Sequence, residues 1–187
     1  YHIGVLGKED NSVVKFYENI EHPAGNSYYK EIGHRLSNEL YPENAFTEQS
    51  TISLSSVVKN QKFPLPDLVK IDVQGAELDI LLGGMNVINN AKYLIVELQD
   101  VQYNRGAPLA DETIQFLNDN GWDLIARKFC DNGPDGDYCF LNKNYDHIKE
   151  PNPEIKQFLT NLYNNYSIPQ DHINYLKKMN INFNPKV

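Results

Sequence analysis

Two acidic residues interrupt apolar runs of the sequence at matching positions. Asp72 lies near the end of Asp67–Val73, a run that is otherwise apolar apart from Lys70, and Glu97 lies near the end of Lys92–Leu98. A carboxylate within an apolar strand is costly unless it has a partner, so such residues are candidates for acid–base chemistry or ligand binding. Alternatively, Asp72 bonds nearby backbone amides, or pairs with Lys70, and simply fixes the turn.

The two acids are expected to meet at one edge of a sheet. Each run is predicted to be a buried strand, and each is followed by a loop. In a parallel sheet, ligands bind outside the carboxyl ends of the strands. We therefore predict that Asp72 and Glu97 are catalytic residues on neighbouring parallel strands that face one crevice. Two carboxylates also suit a divalent cation, but no wider cluster of ligands accompanies them, and no metal is expected.

Other residues at these strand ends extend the candidate site. Gly75 either lets the backbone approach a ligand closely or makes a tight turn between strand and helix. Glu77 either contacts a substrate or favours the N-terminus of the following helix electrostatically. Tyr103 and Asn104 follow the second strand, where they line a substrate pocket or belong to an ordinary polar loop.

The stretch Glu18–Glu48 is long, polar and punctuated by glycine and proline. Such a loop is unusual inside a compact domain and is often a binding loop or a lid. We predict that it forms a mobile flap over the crevice and buries little of itself. Within it, His22, Asn26 and Ser27 are candidate substrate residues, since a titratable ring, an amide and a hydroxyl suit a polar, hydroxylated ligand. A lone histidine in a loop is also commonly just solvated.

Strands and helices alternate along the elements that position these residues. The predicted strands are His2–Leu6, Ser12–Tyr17, Thr51–Leu54, Asp67–Val73 and Lys92–Leu98, and the predicted helices are Ser55–Lys59, Ala76–Leu82 and Asp111–Asn120. A hairpin of Trp122–Phe129 and Tyr138–Leu141 follows. This order predicts an α/β domain with a mostly parallel sheet and a C-terminal antiparallel hairpin.

A boundary at Pro151 and Pro153 divides the chain. We predict one α/β domain over residues 1–150 and a helical C-terminal tail over residues 151–187, with helices at Glu154–Tyr163 and Gln170–Met179.

Composition excludes several classes of protein. The net charge of −8 over 187 residues argues against a nucleic-acid partner, because phosphate binding requires clustered basic residues. No run approaches the roughly 18 apolar residues of a membrane span, and the first residues lack the pattern of a signal peptide. We expect a cytoplasmic protein, in which Cys130 and Cys139 are free thiols rather than a disulfide.

The segment Lys70-Ile71-Asp72-Val73-Gln74-Gly75-Ala76-Glu77-Leu78 resembles the central motif of the FkbM-type methyltransferase family. Gly25-Asn26-Ser27 stands where that family often has a Gly-Asn-Ser turn, and Lys92–Glu97 is similar to its next strand. The resemblance covers roughly residues 1–143. It implies the class I methyltransferase fold (Rossmann-like), S-adenosylmethionine as cofactor, and methyl transfer to a hydroxyl of a glycan or secondary metabolite.

The resemblance, together with the rule about strand ends, assigns the cofactor contacts to Leu6, Gly7, Asp72, Val73, Gln74 and Gly75. Class I methyltransferases hold the cofactor with a glycine-rich loop, yet no Gly-x-Gly occurs in this sequence. We therefore expect that the N-terminal strands are missing, as about two strand–helix units of roughly 60 residues. The isolated chain is then expected to bind the cofactor weakly or not at all.

Two other functions remain open from the sequence. One is a non-catalytic binding or structural module that keeps the α/β shell without a cofactor site, and the absent glycine loop favours it for the isolated chain. The other is a different doubly wound enzyme, such as a nucleotide-sugar transferase, for which only analogy of fold speaks. Without its neighbour, Asp67–Val73 becomes an edge strand, which is a template for pairing. Either His2–Leu6 moves in beside it, or a second copy of the chain pairs with it, or residues upstream of Tyr1 occupy that side.

Overall fold

Two β-sheets form within residues 1–33, 35–129 and 135–145, which a computed structural model describes. The strands are β1 (Val5–Leu6), β2 (Val13–Phe16), β3 (Thr47–Ile52), β4 (Leu68–Ile71), β5 (Tyr93–Gln99), β6 (Trp122–Phe129) and β7 (Asp135–Asn142). The helices are α1 (Ser37–Leu40), α2 (Leu54–Gln61), α3 (Glu77–Ile88) and α4 (Ala110–Asp119), and a short 3₁₀ turn spans Pro23–Gly25. The predicted α/β class is confirmed.

The expectation of a mostly parallel sheet is wrong for the described residues. One sheet has the order β1-β3-β2 and the other the order β4-β5-β7-β6. Only the β1–β3 and β4–β5 pairs are parallel, whereas β2–β3, β5–β7 and β6–β7 are antiparallel. The predicted hairpin is confirmed as β6–β7. Because a hairpin reverses the chain, its second strand lies antiparallel to β5, and this makes the β4-β5-β7-β6 sheet mixed. The other sheet is mixed because β2 is antiparallel to β3.

Strand β5 is the base of the candidate site, since it lies between β4 and β7. Six of its seven residues are buried, and Glu97 is the exception. Leu94 on β5, Leu81 on α3 and Leu117 on α4 are fully buried in one core. Burying such a side chain stabilises the fold by about 1.5–3 kcal/mol. Glu97 therefore lies on a strand that the hydrophobic core holds in place.

Helix α3 connects the two sheets. Its buried face includes Ile80, Leu81 and Ile88, which pack with Val96 of β5 in the core. On the other side, the α3 glycine Gly83 passes so close to the backbone at residues 7 and 8 that a Cβ there would collide with it. This close approach fixes the end of β1 relative to the start of α3, and so relative to the end of β4.

The predicted strand Asp67–Val73 is present but shorter, as β4, and it is less buried than expected. Leu68 and Val69 are half-buried, Lys70 is exposed, and only Ile71 is buried. The physical reason is that β4 stands at the end of its sheet among the described residues, with a single neighbour, β5. The expectation of an edge strand is confirmed, and the expectation of a strand covered on both faces is wrong.

The stretch Glu18–Glu48 is not a flap that buries little of itself. Lys30 is 3% exposed and Tyr41 is 1% exposed. The segment is also tied to the loop after β5, where the backbone N–H of Arg105 donates to the Lys30 carbonyl over 2.8 Å. Polar groups of this segment find partners within the protein, and this permits burial that composition alone disfavours.

Several predictions fall on other parts of the chain. The predicted helical tail lies outside the described residues; it comprises residues 151–187 with the helices Glu154–Tyr163 and Gln170–Met179. Cys130 also lies outside them. Cys139 is a free thiol on β7, as predicted. Its complete burial raises the pKa of the thiol, so it is unreactive. Among the helices of the described residues, none has the length and apolar character to cross a membrane.

Candidate active site

Asp72 and Glu97 lie at the same edge of the sheet. Strands β4 and β5 run parallel, with Ile71 opposite Val96, so the residue that follows Ile71 comes beside the one that follows Val96. Both acids line one cleft of about 670 Å³, a volume typical of small-molecule sites. The predicted arrangement, two acids on neighbouring parallel strands facing one crevice, is confirmed.

The two carboxyl groups form a coupled pair that shares a hydrogen bond. Burial, followed by the hydrogen bond and the negative charge of Asp72, raises the pKa of Glu97 to about 8. Partial burial raises the pKa of Asp72, whereas hydrogen bonds from Lys70 and Glu97 lower it. The lowering effects outweigh the burial, so the pKa of Asp72 lies below its ordinary value. Near neutral pH the pair therefore holds one proton, on Glu97.

Asp72 is not the buried carboxylate that the sequence suggests. Its side chain is 42% exposed, and its Oδ2 lies 2.9 Å from the Lys70 Nζ, whose side chain is 51% exposed. The predicted pairing with Lys70 is thus present. Water screens such an exposed pair, so it contributes little to stability. Since Asp72 contacts Glu97 as well, the ion pair and a role in proton transfer are compatible.

Gln74 holds the other side of Glu97. Its Nε2 donates to the Glu97 Oε2 over 3.2 Å, and its backbone has a left-handed φ of 57°. This uncommon conformation for a non-glycine residue turns the chain from β4 toward α3. Glu97 is therefore positioned from both sides, by a carboxylate and by an amide.

The structure gathers seven of the predicted site residues around the cleft: Leu6, Asn26, Ser27, Asp72, Val73, Gln74 and Glu97. Gly7 lines a separate cavity. Gly75, Glu77, Tyr103 and Asn104 line a small adjoining pocket that shares Gln74 and Glu97 with the cleft. His22 is exposed and lines none of these three spaces.

Glu77 is turned toward the backbone. It is 6% exposed, and its Oε1 accepts hydrogen bonds from the amides of Val73, at 3.2 Å, and Gly75, at 3.1 Å. Burial raises the pKa of Glu77 in spite of these bonds. Of the two interpretations offered by the sequence, this geometry matches stabilisation of the turn that starts α3.

Gly75 is required by packing. Its φ is +97°, and a Cβ there would lie 2.8 Å from the Cβ of Ala107 and 3.1 Å from that of Asn104. We expect Gly75→Ala to destabilise the fold by about 2–4 kcal/mol, through backbone strain and overpacking together. The measurement is the free energy of unfolding in denaturant. Gly106→Ala is the matched control, because Gly106 has a φ of +75° with nothing within 4 Å; equal losses in both variants would contradict the packing argument.

Sequence reasoning did not single out Tyr28 or its partner Asp79 as site residues. The hydroxyls of Tyr28 and Tyr29 both donate to the Asp79 Oδ2, over 3.1 and 2.9 Å, and their ring centroids lie 5.0 Å apart. Tyr28 also lines the cleft. The tyrosine doublet directly after Ser27 was a usable signal in the sequence, but Asp79 stands 51 positions away from Tyr28 and nothing local links them.

No group of three His, Cys, Asp or Glu side chains is placed to hold a metal ion within the part of the chain that the structure describes. Asp72 and Glu97 are joined to each other and to Lys70 and Gln74. The chemistry that this arrangement supports is proton transfer.

Comparison with known proteins adds a family and one relative. The sequence matches the model of the methyltransferase FkbM domain over residues 6–124, which is more than half of the 187 residues. The hexuronic acid methyltransferase AglP of Haloferax volcanii is 40% identical over 48 residues, which are 26% of this chain and 20% of that protein. The match thus spans about one fifth of the relative's length. No solved structure matches the chain.

Proposed function

Because the chain belongs to the FkbM methyltransferase family, we propose that it transfers a methyl group from S-adenosylmethionine to a hydroxyl oxygen, on a glycan or a secondary metabolite. The name of the relative, a hexuronic acid methyltransferase, favours a glycan. The observation that carries the proposal is the Asp72–Glu97 pair that lines the cleft, with a pKa of about 8 on Glu97. A base with a pKa near the operating pH is suited to removing a proton from a hydroxyl.

The residues of the chain act on the acceptor. S-adenosylmethionine, when bound, supplies an electrophilic methyl group on a sulfonium. The Glu97 carboxylate would take the proton of an acceptor hydroxyl in the cleft, and the acceptor oxygen would then be the nucleophile for that methyl group, with the thioether S-adenosylhomocysteine as the leaving product. Asp72 raises the pKa of Glu97 and Gln74 orients it, so both are positioning residues for the base.

The residues present fit one side of the cofactor. Leu6, Val73 and Gln74 line the cleft and would contact it, and the Asp72 carboxylate would face its positive charge. Gly7 and Gly75 lie elsewhere, and we propose no contact for them. No Gly-x-Gly occurs in residues 1–187, so a contact from a glycine-rich loop is not part of this proposal.

We extend the proposal to the class I (Rossmann-like) sheet that the family implies. Strand β1 has β3 as its partner and β4 has β5 as its partner. Residues of β1 and residues that follow β4 line the same cleft. Strands that pair with the outer edges of β1 and β4, which are end strands of the two sheets among the described residues, would join the two sheets into one beside the cleft and not within it.

From this follows a prediction about the 187-residue chain by itself. We expect it to bind S-adenosylmethionine weakly or not at all and to self-associate, because β4 offers an unpaired edge within the described residues. Calorimetric titration with the cofactor, together with sizing by light scattering, measures both properties. Micromolar binding by a stable monomer would contradict the prediction and would mean that other residues of the chain hold the cofactor.

The proposed activity is tested with the natural protein that carries this sequence. It is incubated with methyl-labelled S-adenosylmethionine and a set of glycans, and the label is expected on an acceptor oxygen. A protein that binds both compounds and transfers no methyl group would instead support the second candidate, a non-catalytic binding module. The missing Gly-x-Gly is the observation that favours that alternative.

A further inference from the structure

The cleft has a second set of lining residues besides those near β4. They come from the end of β2 and the segment after it: Phe16, Pro23, Ala24, Asn26, Ser27 and Tyr28. Aromatic and small apolar side chains alternate here with an amide and a hydroxyl. A sugar ring has the matching character, because one face of a pyranose presents C–H groups while its rim presents hydroxyls. Apolar walls with a few placed polar groups are typical of small-ligand sites.

Tyr28 is the most firmly held aromatic ring of this set. Its hydroxyl is fixed by the Asp79 carboxylate at 3.1 Å, and its ring packs against Tyr29, whose hydroxyl bonds the same oxygen at 2.9 Å. Tyr28 lines both the cleft and the neighbouring cavity of about 250 Å³, so this one residue borders both spaces. A ring locked before binding loses little conformational entropy when a ligand stacks on it.

Asn26 supplies a polar contact beside that ring. Its Oδ1 accepts from the backbone N–H of Asn19 over 2.7 Å, which fixes the orientation of the amide group. The two Nδ2 protons then remain as donors at the cleft. Hydroxyl oxygens of a sugar are suitable acceptors for them.

The ionisable side chains that line the cleft within the described part of the chain include acids but no bases. Among the described residues, the acids that line it are Asp72, which is ionised near neutral pH, and Glu97, which holds the shared proton, and no lysine or arginine lines it. The nearby Lys70 is engaged by Asp72 at 2.9 Å and by Asp137 at 3.8 Å. A carboxylate on the acceptor would therefore lose hydration and face Asp72 without a cation of its own.

We propose that Tyr28 is a specificity-determining residue that stacks on an uncharged hexopyranose unit, and that the cleft selects such a sugar over a hexuronate. The inference rests on the proposed function and deepens it by naming the class of acceptor. It separates this chain from the Haloferax volcanii relative, whose name specifies hexuronic acid and of which only 20% is matched.

The test is a ligand-observed NMR titration of the protein with methyl β-D-glucopyranoside and, separately, with sodium glucuronate. We expect the neutral glucoside to bind at least several-fold more tightly. Tyr28→Leu is expected to weaken glucoside binding by roughly tenfold, the loss of one aromatic contact, whereas Tyr28→Phe keeps the ring and stays within about threefold. Phe63→Leu is the matched control and should change nothing, because Phe63 is an exposed aromatic residue that lines none of the three cavities described above.

Three results would overturn the inference: tighter binding of glucuronate, no binding of either sugar, or equal affinities of wild type and Tyr28→Leu. Thermal unfolding of Tyr28→Leu accompanies the titration, and Tyr28→Phe keeps the comparison valid if the leucine variant is unstable. Methyl transfer to a uronate glycan would remove this inference and leave the proposed activity in place. Glucoside binding without methyl transfer to any glycan would remove the proposed activity and leave this inference in place.

Discussion

Replacing Glu97 by glutamine is expected to lower the turnover of methyl transfer by roughly a hundred-fold or more, the usual contribution of a general base. The amide has the size of the carboxyl group and keeps hydrogen-bonding capacity toward Asp72 and Gln74. It has no basic form that can take the proton of the acceptor. The measurement is kcat with labelled S-adenosylmethionine. Glu48→Gln, at an exposed position on β3, is the matched control, and a loss of only a few-fold in Glu97→Gln would remove Glu97 from the mechanism.

Glu97→Gln is expected to lower activity without lowering the stability of the protein at alkaline pH. Folding raises the pKa of Glu97 from 4.5 to about 8, so the folded chain binds this proton more tightly than the unfolded chain. The associated stability is fully present below about pH 4.5 and is lost as the pH rises through about 8. Glutamine carries no charge to bury. At about pH 9, Glu97→Gln should therefore unfold at a temperature no lower than wild type, which would separate loss of the base from loss of the fold.

The turnover of the unchanged enzyme is expected to rise with pH through about 8, the pKa of Glu97, because only its carboxylate accepts a proton. Asp72→Asn removes the negative charge that helps raise this pKa. The inflection should then move to lower pH, and turnover should fall by roughly tens-fold or more because the base is weaker and less well positioned. The profile of kcat/KM against pH measures both effects.

Asp135→Asn is the control for this pH profile. Asp135 also raises the pKa of Glu97, but by a smaller interaction than that of Asp72. Its replacement should shift the inflection in the same direction and by less. An inflection that stays in place in Asp72→Asn would show that the two carboxyls do not share a proton during turnover.

Local features of the sequence were enough to place Asp72 and Glu97 together. Each acid interrupts a run of apolar residues near its end, and each run is followed by a loop. Two such runs separated by a helix form a parallel pair with their carboxyl ends at one edge. The structure has this arrangement as β4, α3 and β5. The order of these elements and the adjoining positions of the two acids therefore followed from periodicity.

Periodicity did not reveal which polar residues become buried. The polar composition of Glu18–Glu48 predicted a flap, yet Lys30 and Tyr41 are almost completely buried there. Within the segment, the Lys30 Nζ donates to the Asn38 Oδ1. The Tyr41 hydroxyl donates to the His22 carbonyl. The Lys30 carbonyl also accepts from the backbone N–H of the distant Arg105. The hydrophobic pattern of a segment reports its average tendency to face water, and it holds no information about hydrogen-bond partners that only the folded chain supplies.

The sequence by itself determined that this chain is an α/β protein with two acids at adjoining strand ends and the motif of a methyltransferase family. The tertiary structure decided how those acids behave. The pKa of about 8 on Glu97 arises from burial and from the nearness of Asp72, and the fixed ring of Tyr28 arises from Asp79 on another element. Both effects depend on distances of a few ångströms between groups far apart in sequence, because electrostatic and hydrogen-bond energies change steeply over that range.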